Sequence, residues 1–275
     1  MEQPLAETME RLKINRGDMS QKEIQIILGT MLGDGHMFKQ KFTRNHGKRY
    51  PINANPLLRL NHGPKQVEYM EWKMQGLPHL HFCKITECTT RNKKYNKIYK
   101  HYMTTSTTHP FLNQVYDMLY GGKKHITRHY LNKLDALGLA VWWMDDGSLI
   151  EDTKSKNARG WLNTYVSFDE NLIIVRYLRK VWKINCHIAR TNNPNLFRID
   201  LPKSAVARMI EIIRQHVEQI PCMKYKVSLS NNIEHRFINW HYAEFNGEDI
   251  VRTAQQCAEV AEMPTRPNFV SGSQK

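Results

Sequence analysis

Apolar and polar positions divide most of the chain into helix-period and strand-period runs that follow one another twice in the same order. Ser20 with Glu23 three residues on has the form of a capping box, and the apolar positions behind it predict a helix reaching Gly35. Pro56 to Asn61 alternates as a half-buried strand does. Pro64 to Gly76 reads as a helix with Val67, Met70 and Met74 on one side and Pro78 closing it. Leu80 to Thr90 and Tyr95 to Thr107 form a hairpin candidate turning at Arg91-Asn92-Lys93-Lys94, and Phe111 to Tyr120 a helix stopped by Gly121-Gly122. A helix then runs from Leu131 to Gly147, and a hairpin lies within Ser148 to Phe168. Ser167 and Glu170 cap a helix through Val181, with Leu172, Val175, Leu178 and Val181 on one face. A hairpin from Ile184 to Leu201 and a helix from Lys203 to Val217 complete the repeat. Each half reads α-β-β-α-β-β-α, an α+β fold with antiparallel sheets: residues 1–122, residues 123–228, and a mildly acidic, partly flexible appendage over 229–275.

The two halves share a shorter feature. Ile27-Leu28-Gly29-Thr30-Met31-Leu32-Gly33-Asp34-Gly35 and Leu139-Ala140-Val141-Trp142-Trp143-Met144-Asp145-Asp146-Gly147 are both apolar, helix-length runs ending in an acid and a glycine. Asp34 and Asp146 stand 112 residues apart, close to the size of one small domain. Gly29 and Gly33, one turn apart, leave a side-chain-free strip on the first helix. Glycine there costs about 1 kcal/mol relative to alanine, so the pair implies that another backbone packs against it. An acid at a helix C-terminus opposes the helix dipole and needs a compensating cation or donor.

Charge adds a partner. Of 275 residues, 40 are Lys or Arg and 26 are Asp or Glu, a net +14. The stretch from Leu229 onward holds four basic residues against six acids, so the excess lies in the body. Such an excess points to a polyanion, with nucleic acid as the leading candidate. No basic amphipathic helix supports a membrane surface, and no apolar run reaches the ~18 residues of a span. Cys83, Cys88, Cys186, Cys222 and Cys257 are scattered without a Cys-x-x-Cys, which argues against a disulfide framework or a zinc site. The polar start lacks a secretory h-region. The expectation is an intracellular protein of a bacterial or phage-infected cytoplasm, or of an organelle matrix.

The duplicated helix ending in Asp-Gly resembles the LAGLIDADG homing endonucleases in their single-chain, two-motif form; the resemblance covers about residues 20–228. Trp142-Trp143-Met144-Asp145-Asp146-Gly147 is similar to that branch's second motif, and Met223-Lys224-Tyr225-Lys226 after Ile220-Pro221 to its segment bearing an active-site lysine. The resemblance implies motif helices packed at a pseudo-twofold axis above saddle-shaped sheets, with Asp34 and Asp146 holding Mg²⁺, or Mn²⁺ in its place. Backbone carbonyls such as those of Gly33 and Asp145 would complete the metal sites. Lys226 matches one catalytic lysine; register leaves Lys123 and Lys124 both open for the other, with Lys124 preferred. Val141 and Asp145 replace the small residues of the third and seventh motif positions, which implies an asymmetric interface and makes Asp145 a competitor of Asp146 as ligand.

The function expected is sequence-specific double-strand cleavage of DNA by a monomer at a long asymmetric site, leaving short 3′ overhangs and serving intron or free-standing gene mobility. Candidate DNA contacts are Lys39, Arg44, Arg59, Arg91, Lys93, Lys154, Arg159, Arg190 and Arg198. The alternative is a maturase bound to intron RNA, or a non-cleaving DNA-binding regulator, on the same scaffold. Scattered histidines such as His36, His62 and His125 read as ordinary surface or capping residues.

Overall fold

Ser20 opens the first helix, α1 (Gln21–Leu32), through the expected reciprocal cap: its side chain accepts from the Glu23 amide while the Glu23 carboxylate accepts from the Ser20 amide at 2.9 Å. The computed structural model describes residues 18–45, 48–51, 54–92, 96–152, 157–191, 193 and 196–229, with the side chains of 42–45, 48–51, 92 and 152 outside the description. The expected appendage beyond Leu229 therefore lies outside the described residues. Two four-stranded antiparallel sheets follow the two motif helices. The first comprises β1 (His36–Lys39), β4 (Pro56–His62), β5 (Thr86–Asn92) and β6 (Lys97–Thr108), in the order β1-β4-β6-β5. A two-stranded ribbon, β2 (Phe42–Asn45) with β3 (Lys48–Pro51), is inserted between β1 and β4. Helices α2 (Val67–Gln75) and α3 (Pro110–Leu119) pack on β4.

After a short helix, α4 (Arg128–Leu131), the second motif helix α5 (Ala136–Asp146) leads into β7 (Gly147–Asp152) and β8 (Asn157–Leu162). Helix α6 (Phe168–Trp182), β9 (His187–Arg190), β10 (Phe197–Leu201) and α7 (Lys203–Val217) follow, and the second sheet is ordered β7-β8-β10-β9. The second half thus has the expected α-β-β-α-β-β-α order, and the first has it with the ribbon added. Three details differ from expectation. The second motif helix begins at Ala136 rather than Leu131, because the Asp135 carboxylate accepts the amides of Leu137 and Gly138 and caps a new helix there. Helix α2 buries Tyr69 and Lys73 beside the expected Met70, while Val67 and Met74 are only half-buried. Val181 is exposed near the end of α6, past the face carried by Ile174 and Leu178. Among the described residues, no helix is long and apolar enough to cross a membrane.

The motif helices hold the halves together. From Ile24 to Leu32 and from Gly138 to Met144 every residue is buried, as expected of helices apolar all round. A Cβ on Gly29 would stand 2.3 Å from the Gly138 carbonyl oxygen and 2.7 Å from Val141 Cβ; one on Gly33 would stand 2.3 Å from Asp145 Cβ. The glycine strip does receive the bulkier helix, and Gly138 adds a third small residue to the contact. Polar groups crossing the seam are paired: Gln25 donates to the Lys133 carbonyl at 2.8 Å and accepts from the Asp135 amide at 2.8 Å, and the Tyr130 hydroxyl donates to the Leu28 carbonyl at 2.9 Å. Trp143, fully buried, reaches Gly160 of β8, where any side chain would collide with it. Because the seam has no slack, Gly29→Ala should destabilise the protein by about 1–3 kcal/mol in urea denaturation. Gly63→Ala, which meets nothing within 4 Å, should change stability far less, and equal effects would contradict the packing.

Candidate active site

Both motif helices end at one place, and the acids there differ in what surrounds them. Asp34 is the exposed one, its side chain 41% accessible. Even so, burial of its carboxyl and then the Asp145 charge push its pKa up to about 6, against the pull of Lys73, Lys226 and Lys124. Asp146 is also raised well above the usual carboxylate range, by burial first and then by Asp145 and Asp34. The Asp146 carboxylate accepts the Trp142 indole N–H at 3.3 Å, and its main-chain carbonyl accepts both the amide and the side-chain N–H of Asn163. The second acid is thereby oriented from helix and sheet together.

Asp145 is committed elsewhere. Its side chain is wholly buried, its two oxygens accept from Lys73 Nζ at 2.8 and 3.0 Å, and Oδ2 also accepts the Asp34 amide at 3.2 Å. The side chain of Asp145, which the sequence left in competition with Asp146, is thus engaged by a lysine of α2. Lys73 Nζ also lies 3.3 Å from His62 Nε2. An ammonium can only donate, so Nε2 accepts and the ring proton is assigned to Nδ1, which faces Asp34 Oδ2 at 3.5 Å. Burial, then the Lys73 charge, lowers the His62 pKa to about 4, keeping the ring neutral. Asp34, His62 and Asp145 place potential ligand atoms within 4.8 Å of one another, but Lys73 engages two of the three, and Asp34 is left as the free carboxylate.

Two more lysines face the acids. Lys124 is half-buried and Lys123 exposed, so the geometry favours Lys124. Burial lowers the Lys124 pKa, opposed by the charges of Asp146, Asp145 and Asp34 in that order. Lys226, in the 3-10 turn Pro221–Lys226, is buried, donates to the Gly147 carbonyl, and is lowered in the same way against Asp145, Asp34 and Asp146. The Lys226 carbonyl in turn accepts the Trp143 indole N–H at 2.9 Å. Lys73 and His62 were missed in the sequence. Lys73 sits within an ordinary helix pattern, and only His62, on the buried parity of β4, carried a faint signal.

The candidate basic contacts separate by strand parity. On β4, Leu58, Leu60 and His62 turn inward, which puts Arg59 on the open face, its guanidinium 4.3 Å from the Phe38 ring centroid. Lys39, paired with Pro56 on the parity of buried Met37 and Leu58, lies on the helix-bearing side, its Nζ 4.6 Å from the Tyr116 ring of α3. On the second sheet the open face carries Arg159, and Arg198 at 3.7 Å over the Trp161 ring. Arg91 pairs with Ile98, on the parity of buried Thr104, and Arg190 pairs with Phe197, on the parity of buried Ile199. These two arginines therefore belong to the opposite, helix-bearing side, contrary to expectation. Arg91 there bonds Asn96. Lys93 and Lys154 lie outside the described residues, as does the side chain of Arg44.

The sequence profile of the LAGLIDADG DNA endonuclease family matches residues 24–209, and the chain belongs to that family. The homing endonuclease I-WcaI, solved bound to its DNA recognition sequence, has a similar fold: TM-score 0.63 at 20% identity, covering 83% of this chain and 93% of that one. A protein named RecA from Mycobacterium shimoidei is 27% identical over 222 residues, 76% of this chain and 47% of the relative. The cytochrome b mRNA maturase bI2 of Saccharomyces cerevisiae is 26% identical over 223 residues, 78% and 49% respectively. The chain spans about half the length of these curated relatives.

Two stability measurements test this electrostatic arrangement. Lys73→Met strands a buried carboxylate and should cost about 3–5 kcal/mol in urea denaturation, with Asp145→Asn added to it recovering a substantial part. Without such recovery, Lys73 and Asp145 are not energetically coupled. A carboxyl whose pKa rises from 3.8 to about 6 on folding penalises the folded state increasingly as pH rises through that window. With chelator present, Asp34→Asn should therefore raise the Tm at pH 7.5, and the gain should fade as pH drops from 6 toward 4. An unchanged or lowered Tm at pH 7.5 would remove this account of Asp34.

Proposed function

We propose that this chain is a sequence-specific, divalent-metal-dependent endonuclease that cuts both strands of duplex DNA, leaves short 3′ overhangs and promotes the mobility of an intron or a free-standing gene. The observation that carries the reading is the meeting of Asp34 and Asp146, one from each half, beside Lys124 and Lys226. Their raised pKa values describe an anionic centre short of positive charge, and carboxylate oxygens suit a hard cation. Asp34 and Asp146, with main-chain carbonyls such as those of Gly33 and Asp145, are the groups that would hold Mg²⁺, or Mn²⁺ in its place. Bound there, the metal would supply a Lewis acid for the scissile phosphate and a water of lowered pKa. Trp142 and Asn163 hold Asp146 in place, and the Asp145–Lys73 pair holds the backbone of Asp34. Lys124 and Lys226 would stabilise charge building on the phosphate, or accept a proton when neutral. One acid per half, with residues 1–122 and 123–228 as those halves, makes a single chain sufficient for two strands.

The open faces of the two sheets, with Arg59, Arg159 and Arg198, form the proposed duplex surface, reading bases and phosphates over a long asymmetric site. A second reading, an RNA maturase, is supported by the likeness to the yeast maturase. Retention of both motif acids favours cleavage. The discriminating experiment joins the sequences flanking the gene's insertion, without the insert, and incubates that duplex with protein and Mg²⁺. Double-strand cutting is expected, with Asp34→Asn or Asp146→Asn alone giving nicks or severe loss. Unchanged double-strand cutting by either variant would remove that acid from the site; tight transcript binding without any cutting would establish the maturase reading.

A further inference from the structure

The open face of the second sheet contains an acid where a DNA-binding surface has least use for one. Asp200 of β10 has a side chain only 4% exposed, although its strand parity is that of the open face. Two side chains cover it: Arg159 of β8 donates to Oδ2 at 3.1 Å, and His187 of β9 places Nε2 3.0 Å from the same oxygen. The three residues come from three adjacent strands. His187 is the cross-strand partner of Asp200 on one side, and Trp161, two residues along β8 from Arg159, is its partner on the other. Burial works against the Asp200 carboxylate, but the His187 and Arg159 hydrogen bonds outweigh it and hold the group ionised. Arg159 remains 63% exposed, so its guanidinium presents donors outward while anchored inward, and His187 beside it is 39% exposed.

We propose that Asp200 is a positioning residue for base readout, fixing Arg159, with His187 beside it, as a preset guanine reader on the second sheet. This rests on the DNA-cleaving reading above. An arginine identifies guanine through a planar fork on O6 and N7, and a free arginine must be ordered before it can do so. A carboxylate that holds one guanidinium nitrogen from below removes that freedom and leaves other N–H groups directed out. The same carboxylate, if uncovered, would repel the phosphates, which accounts for its burial beneath Arg159 and His187.

The device belongs to one half only. His36 and Ser148 each follow the motif glycine; His36 pairs with Arg59 and Ser148 with Trp161. Arg59 in turn pairs with Thr105, and Trp161 with Asp200. The first-sheet positions corresponding to Arg159 and Asp200 are therefore Leu57 and Thr105, which cannot form such a pair. The guanine preference should fall in the half of the target lying on the second sheet, and should have no mirror counterpart in the other half.

The test selects bound duplexes from a randomised pool in Ca²⁺, using the full chain, and reads base preference position by position. The wild-type protein should show a guanine preference at one or two adjacent positions of one half-site. Asp200→Ala and Arg159→Lys should both flatten preference at those same positions by about 5- to 100-fold, the range of a bidentate base contact. A merely structural role for Asp200 would weaken binding to every duplex alike and leave the profile's shape intact, which would overturn the inference. Should Asp200→Ala fail to fold, Asp200→Asn and the surface variant Arg159→Lys carry the test; an unaltered profile in Arg159→Lys also overturns it. A wild-type protein that selects no sequence would overturn the endonuclease reading and this inference with it. A wild-type preference that survives both variants would overturn this inference alone.

Discussion

Everything functional in this molecule depends on how closely two helices approach. At Gly29 the opposing backbone is already where a methyl group would be, and at Gly33 the Asp145 side chain fills the space. That contact is expensive in helix propensity and is stabilised by burial of both helices on all sides. Its product is electrostatic. Two helix C-termini, each with an acid, converge where burial and the helix dipoles oppose negative charge and the neighbouring lysines offset them only in part. Packing keeps the carboxylates together, and burial first, then the charge of the neighbouring acids, raises both pKa values.

The seam was legible in the sequence because glycine inside a helix has few explanations. Gly29 and Gly33 predicted a close partner, the two Asp-Gly endings predicted which acids would meet, and capping signals at Ser20 and Ser167 fixed two helix starts to the residue. The strand-period runs gave both sheets, and alternation placed Arg59 on the open face. What the pattern did not show follows from the same physics. Lys73 lies in a helix where a lysine ordinarily points to water, and its burial depends on an acid 72 residues away. Arg91 and Arg190 sit near hairpin ends where composition indicates nucleic acid, but side-chain parity, set by the cross-strand register, turns them to the other side. Charge along a chain identifies a partner; only register says which face meets it.

The two sheets are built alike and equipped differently. The first carries an inserted ribbon and an arginine stacked on Phe38, the second an arginine stacked on Trp161 and a buried acid under an arginine and a histidine. Even the place where the two motif helices end shares this inequality. Asp34 is held through its amide by a carboxylate, Asp146 through its carboxylate by an indole. A pseudo-symmetric scaffold with dissimilar side chains can bind a target whose two arms have unrelated sequences, which a symmetric dimer cannot do.

The Lys73–Asp145 pair carries a consequence for the history of the chain as well as for its chemistry. If the second half paired with a copy of itself, two Asp145 carboxylates and two Val141 side chains would meet with no glycine to receive them. If the first half paired with itself, two buried ammonium groups would remain without a counter-ion and the glycine strips would enclose a gap. Either self-association is penalised by charge and by shape, while the pairing of unlike halves satisfies both. Whatever ancestor had interchangeable halves, this descendant has given up that freedom: its halves can no longer be exchanged for one another.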